Sequence, residues 1–346
     1  MRRRMIIYCM LSLFLLACQQ KDTKDKGEEL SNFEAFSKDI VVQSFSLPEG
    51  NYVFDNDLDV KIELEIIKDE LSKLYLQYEL QDPHGDWFLA QPEEYLLTDE
   101  KIQEVKSTFK LPHLSISGDY VQKITVWDKE PSQPNASKLF VLHSDKELSL
   151  FRHIESFLTF DHEIWEIRKH AILGKGPLLA ENVSIQAGQV KIRVEPEAYQ
   201  GGEVRTKKLL EHGAFETTIK VAHQPGSITG FFLYAPPDYY HEIDIEIYND
   251  SSGTILFTAY KDGEEAEQIR QKLPFDPTEN FHVYRFEMYR DGAAFYVDGE
   301  LFQTFEEDYS TAPMQLMINS WYPTWVKSTD LHSDEPSETV VESISY

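Results

Sequence analysis

His241-Glu242-Ile243-Asp244-Ile245-Glu246-Ile247-Tyr248 alternates apolar and polar residues without a break. On a β-strand, side chains two positions apart share a face. The three isoleucines therefore face a core, and Glu242, Asp244 and Glu246 point together to the other side. Three like charges in a row repel, and strands disfavour acids in general. One reading is an exposed edge strand with solvated charges. Tyr239, Tyr240 and the apolar run Gly230-Phe231-Phe232-Leu233-Tyr234 weigh against it, since they call for a covered, paired strand.

The same periodicity extends outward on both sides. Gly213-Ala214-Phe215-Glu216 and Phe295-Tyr296-Val297-Asp298-Gly299-Glu300 read as strands, the second turning at Asp-Gly into a hairpin. Residues 148–346 contain no glycine-rich phosphate loop, no His/Cys metal cluster and no long amphipathic helix. This unit is expected to be all-β, two large sheets packed face to face. Upstream, Val60, Ile62, Leu64 and Ile66 alternate with charged residues, and Leu74, Leu76, Tyr78 and Leu80 repeat the pattern. Turn signals separate such runs at Lys68-Asp69-Glu70 and Pro83-His84-Gly85-Asp86. The stretch Gly118–Trp127 has the look of a late strand in an immunoglobulin-like sandwich, and residues 38–145 are expected to form one. No reactive groups converge in it, so it reads as a spacer or docking module rather than a dedicated sugar-binding domain.

The N-terminal segment has a different character. Met1-Arg2-Arg3-Arg4, an apolar run to Ala17 and then Cys18 form a secretory leader too short for a permanent membrane helix. Leu15-Leu16-Ala17-Cys18 resembles a bacterial lipobox, which implies residues 1–18 as a lipoprotein signal and a lipid on Cys18. Gln19 to Ser37 is polar and charged, a flexible tether. Cys9 and Cys18 are the only cysteines, so the mature chain is held by its cores rather than by disulfides. The net charge of −27 disfavours nucleic acid and anionic surfaces, and fits a neutral ligand better than a sulfated one. The chain is expected to be an exported monomer, touching membrane only through the lipid, on the periplasmic or the cell-surface side.

Glycoside cleavage gives a physical reason for three crowded acids. It needs two carboxyl groups, about 5–5.5 Å apart in retaining enzymes, one as nucleophile and one as acid. Glu242 and Glu246 lie four residues apart, about 13 Å between Cα atoms, a gap that side chains leaning together partly close. Asp244 between them couples their titrations. Spacing alone leaves the stereochemistry open.

Here the chain resembles a known family. Ala180-Glu181-Asn182-Val183-Ser184, Gly201-Gly202-Glu203-Val204-Arg205-Thr206-Lys207, the acid strand, His282-Val283-Tyr284 and Pro313–Trp321 are similar, in order, to glycoside hydrolase family 16, in pattern to bacterial β-1,3-1,4-glucanases. The resemblance implies a concanavalin A-like jelly-roll β-sandwich, with Glu242 as nucleophile, Asp244 as assisting residue and Glu246 as general acid/base of a retaining mechanism. It also implies that Glu203, Arg205, Tyr260, Asn319 and Asn182 contact sugar hydroxyls, and that Phe232, Tyr234 and Trp321 stack on pyranose rings. Core packing is the competing role for each aromatic, and a carboxylate partner is the competing role for Arg205. No cofactor serves the chemistry. Some relatives hold a structural calcium through an Asp in the last strand, and Glu342 stands at the matching place here. Tyr322-Pro323-Thr324-Trp325 is an aromatic insertion expected to reshape the cleft edge.

The acids occur as Glu-x-Asp-x-Glu, without the extra residue that requires a β-bulge. In the family the short form accompanies mixed-linkage glucanases, xyloglucan-active enzymes and some wall transglycosylases. The cysteine-bearing extension of plant xyloglucan enzymes has no counterpart here, which favours endo-hydrolysis of a β-1,3-1,4-glucan. A transglycosylase on the same scaffold and a non-catalytic β-glucan-binding lectin are the alternatives.

Overall fold

The structure, a computed structural model, describes residues 33–346 apart from 55, 68–70, 111–115, 145, 291, 308, 310, 311 and 327–334. The leader, Cys18 and the Lys68-Asp69-Glu70 turn lie outside the described residues. Nearly all described secondary structure is β-strand, with one short 3-10 turn at Ala180–Asn182. None of the described helices is long and apolar enough to cross a membrane.

The C-terminal part is two sheets face to face. A seven-stranded sheet runs in the spatial order Trp165–Ile167, Gly202–Thr206, Gln315–Trp321, Ile228–Ala235, His241–Tyr248, Thr254–Lys261, Glu264–Lys272. Its partner contains Val183–Gln186, Gln189–Val194, Ser337–Ser345, Gly213–Lys220, His282–Tyr289, Gly292–Val297 and Glu300–Phe305 in that order. Ile243, Ile245 and Ile247 are fully buried between them, against one core that includes Phe215, Phe231, Phe257, Phe286 and Phe295. The period-two reading of the acid strand therefore holds residue by residue. At the hairpin, Asp298 and Gly299 both take positive φ (50° and 79°), the geometry that Asp-Gly supplies at low cost.

A second core lies N-terminal to the first. The alternating runs form the strands Asp57–Ile66 and Lys73–Gln81, whose residues Val60, Ile62, Leu64, Leu74, Leu76, Tyr78 and Leu80 all enter this core. Two expected boundaries move. Phe33–Ala35, placed in the tether, pairs as an edge strand with residues 140–142. Leu148–Phe151, placed with the jelly roll, pairs with Gly118–Trp127 on one side and Gly50–Val53 on the other. Leu148 and Leu150 are fully buried in the N-terminal core, which explains where this strand belongs.

The two layered parts form one compact unit. Gly213–Lys220 and His282–Tyr289 present residues to the N-terminal part, where Arg285 pairs with Asp119 at 2.9 Å, Glu287 at 2.5 Å and Glu216 at 3.7 Å. Asn51 donates to Glu216 at 3.0 Å, Tyr289 donates to the Ser117 carbonyl, and so does the Ala214 backbone N–H.

Candidate active site

Strand register, more than chain proximity, builds the site. His241–Tyr248 pairs residue for residue with Ile228–Ala235 and with Thr254–Lys261, without a bulge against either. Each acid therefore sits in the middle of a row that crosses the sheet. Glu246 lies opposite Gly230 and Leu256, and the row continues through Asn319 to Glu203 on one side and to Arg270 on the other. Asp244 lies between Phe232 and Thr258, and Glu242 between Tyr234 and Tyr260. Gly230 leaves the space beside Glu246 open. A Cβ there would come within 2.9 Å of the Asn319 Oδ1 and 3.3 Å of the Phe232 ring.

A cleft of about 390 Å³ lies over these rows and is lined by all three acids. Six of the eight residues expected to meet sugar line it as well: Glu203, Phe232, Tyr234, Tyr260, Asn319 and Trp321. Phe232, Tyr234 and Trp321 are half-buried, so these aromatics face the cleft and are not core residues. The Asn319 side chain is buried, and its Nδ2 donates to Glu203 at 3.4 Å while its Oδ1 has no hydrogen-bond partner among the described residues. A buried acceptor of that kind is incomplete until a donor arrives.

Two expected contacts lie elsewhere. Asn182 is buried in the 3-10 turn and donates to the Gly201 carbonyl at 3.0 Å, outside the cleft lining. Its amide serves the local chain path. Arg205 is on the right strand, but its guanidinium is taken by Glu166 of the neighbouring edge strand, and it too is outside the lining. Arg168 is the arginine that lines the cleft, held to Glu203 at 3.2 Å. It follows the short strand Trp165–Ile167, and only long-range pairing with Gly202–Thr206 brings it here, so no local sequence signal marked it. Asp238, Tyr239 and Trp325 were also unassigned as contacts and line the cleft. Of the aromatic insertion, Trp325 lines the cleft, whereas Tyr322 is buried.

The acids are crowded out of water. Glu242 is pushed up to about 8 by burial, then by the Glu246 and Asp238 charges. Glu246 is pushed up to about 7 by burial and by Glu265. Asp244, only 5% exposed, is raised well above the usual carboxylate range by burial and by both glutamates. The trio therefore keeps at least one proton near neutral pH, and that proton belongs to the set rather than to one member. A carboxylate beside a protonated carboxyl is what a nucleophile and a general acid require. Glu342 is exposed on the last strand, and among the described residues no three His, Cys, Asp or Glu side chains gather to hold a metal ion.

Comparison with known proteins agrees with this geometry. The sequence profile of Glycosyl hydrolases family 16 matches residues 177–335. A beta-glucanase of Brevibacillus brevis is 30% identical over 182 residues, which is 48% of this chain and 69% of the relative. A beta-glucanase of Acetivibrio thermocellus is 33% identical over 126 residues, and there the match spans 36% of this chain and only 38% of the relative. Among solved structures, the Bacillus licheniformis beta-glucanase superposes with a TM-score of 0.51 at 24% identity, over 56% of this chain and 96% of its own. That likeness is one of fold. The sequence relationship and the row of acids in the cleft together make this chain a glycoside hydrolase that belongs to family 16.

Proposed function

We propose that the protein is a retaining endo-β-glucanase that hydrolyses β-1,3-1,4-glucan, or a related β-glucan, by double displacement. One observation carries the reading: the unbroken register of His241–Tyr248 sets three acids, Asp244 buried and both glutamates half-buried, at the centre of an aromatic-lined cleft. The beta-glucanase relatives support the substrate class. In the first step Glu242 attacks the anomeric carbon as the leaving sugar's oxygen takes the Glu246 proton. In the second, Glu246 removes a proton from water, whose oxygen displaces Glu242 from the same carbon. Asp244 between them holds the proton inventory of the trio. Neutral walls of Phe232, Tyr234 and Trp321 suit the apolar faces of pyranose rings.

The test is proton NMR of the first products from barley-type mixed-linkage glucan, laminarin and xyloglucan. Release of the β-anomer first, from mixed-linkage glucan above the others, is the expected result. Release of the α-anomer first would rule out double displacement. Tight binding without cleavage of any of them would replace the enzyme with a lectin.

We further propose export and anchoring through a lipid on Cys18, on the strength of Leu15-Leu16-Ala17-Cys18 after a basic, apolar leader. Mature protein should partition into detergent and incorporate labelled fatty acid, and Cys18→Ala should lose both. Unlipidated soluble secretion of the unaltered chain would disprove the anchor.

A further inference from the structure

The cleft over the acids adjoins a second hollow, lined by Leu256, Gly263, Glu265, Gln268 and Arg270 on the outer strands of the same sheet. Three aromatic residues, Tyr239, Tyr260 and Trp325, line both. Tyr260 is half-buried beside the acids, and all three carboxylates, after burial, raise its phenol. Tyr239 and Trp325 differ from it in being largely open, at 53% and 46% exposure.

Tyr239 is held in place from several directions. Its φ is +69°, a region that bulky side chains rarely adopt and that usually accompanies a functional constraint. The Gly263 N–H donates to its carbonyl at 3.0 Å, from the turn in which Asp262 and Gly263 themselves take positive φ. A side chain on Gly263 would press on the Tyr240 ring at 3.0 Å, and its φ of +89° itself favours glycine. The Tyr239 ring rests against Tyr260 at 5.2 Å between centroids. One residue earlier, Asp238 accepts a hydrogen bond from the Tyr234 hydroxyl at 2.5 Å, tying the loop to the strand beside Glu242. Folding thus fixes a strained backbone and yet leaves half of an aromatic ring bare at the junction of two hollows. Large aromatics kept exposed in a cleft are characteristic of recognition surfaces.

We propose that Tyr239 is a specificity-determining residue: its ring stacks on the sugar that crosses from the acid-lined cleft into the hollow beyond it, so the site grips a chain on both sides of the acids. The inference rests on the β-glucan reading and extends it from where bonds break to how long a chain is held. Stacking needs the ring and not its hydroxyl, and the bound length should depend on it.

The test uses the full chain and a ladder of mixed-linkage gluco-oligosaccharides, with calorimetric affinity and KM measured as chain length grows. Tyr239→Gly removes the ring and suits the positive φ, so the variant keeps its fold, checked by melting temperature. It is expected to lose about tenfold in affinity and raise KM equally for the longer oligosaccharides, with a smaller loss for the shorter ones. Tyr239→Phe should match the unaltered protein. Equal affinities for long chains with and without the ring would overturn the proposal, and so would a loss of the same size at every chain length. If the unaltered protein binds the ladder in a ring-dependent way but cleaves nothing, the proposal stands and the hydrolase reading fails. If it binds none of the ladder, both fail.

Discussion

Glu242→Ala is expected to abolish hydrolysis of β-glucan while leaving the fold intact, because its side chain is half-buried and lines the cleft rather than the core between the sheets. The loss should exceed the roughly 10²–10⁴-fold attached to general acid assistance alone. The missing side chain leaves room for a small anion, so azide or formate should restore turnover of an activated glycoside and give a product of inverted configuration. Glu246→Ala should lose natural glucan but spare substrates with good leaving groups, which need no proton. The pH profile follows from the raised acids. The unaltered enzyme should lose rate as pH rises through about 7–8, where the trio gives up its last useful proton. Stability runs in the same direction. These carboxyls bind protons more tightly folded than unfolded, so their burial weakens the fold progressively above the ordinary carboxylate range. Asp244→Asn removes the most buried of the three charges and should melt higher than the unaltered protein at pH 8, with little difference at pH 4. Full activity in all three variants would end the catalytic assignment.

Arg285→Met should be the most damaging substitution away from the cleft. Arg285 is 8% exposed, and its guanidinium is the cation shared by Asp119, Glu216 and Glu287 between the two layered parts. Burial pushes Glu216 and Glu287 up, and Arg285 opposes that shift in each. Removing one partner of a buried ionic set strands the others, at a cost of about 3–5 kcal/mol. Urea unfolding should show that loss, and Glu216→Gln with Glu287→Gln should recover much of it in the Arg285→Met background by removing the stranded charge. An unchanged unfolding midpoint in Arg285→Met would mean that the cluster does not hold the two parts together. The same contacts bear on dissection of the chain. A cut near 145 would leave Leu148–Phe151 without both strands that pair with it, so a stable jelly-roll fragment should begin after Phe151.

The local pattern was enough to find the strands and the acids. Alternation over two residues is a property of the backbone itself, so Ile243, Ile245 and Ile247 could be assigned inward and Glu242, Asp244 and Glu246 outward before any partner strand was known. The Asp298-Gly299 turn was legible for the same reason, because the positive φ it needs is a local demand. Neighbours across the sheet were not legible. Whether Arg205 or Arg168 faces the cleft depends on Glu166, thirty-nine positions from Arg205, arriving on an edge strand close enough to take one guanidinium out of play. Asn182 lay within a motif of the right type, yet its amide went to the Gly201 carbonyl because a buried donor takes the acceptor that packing brings to it. Leu148–Phe151 joined the earlier sheet rather than the later one because that sheet offered pairing on both its edges. Periodicity reports which way a side chain points; only the assembled sheets decide what it meets there, since hydrogen bonds and ion pairs form between residues that the chain brings together from far apart.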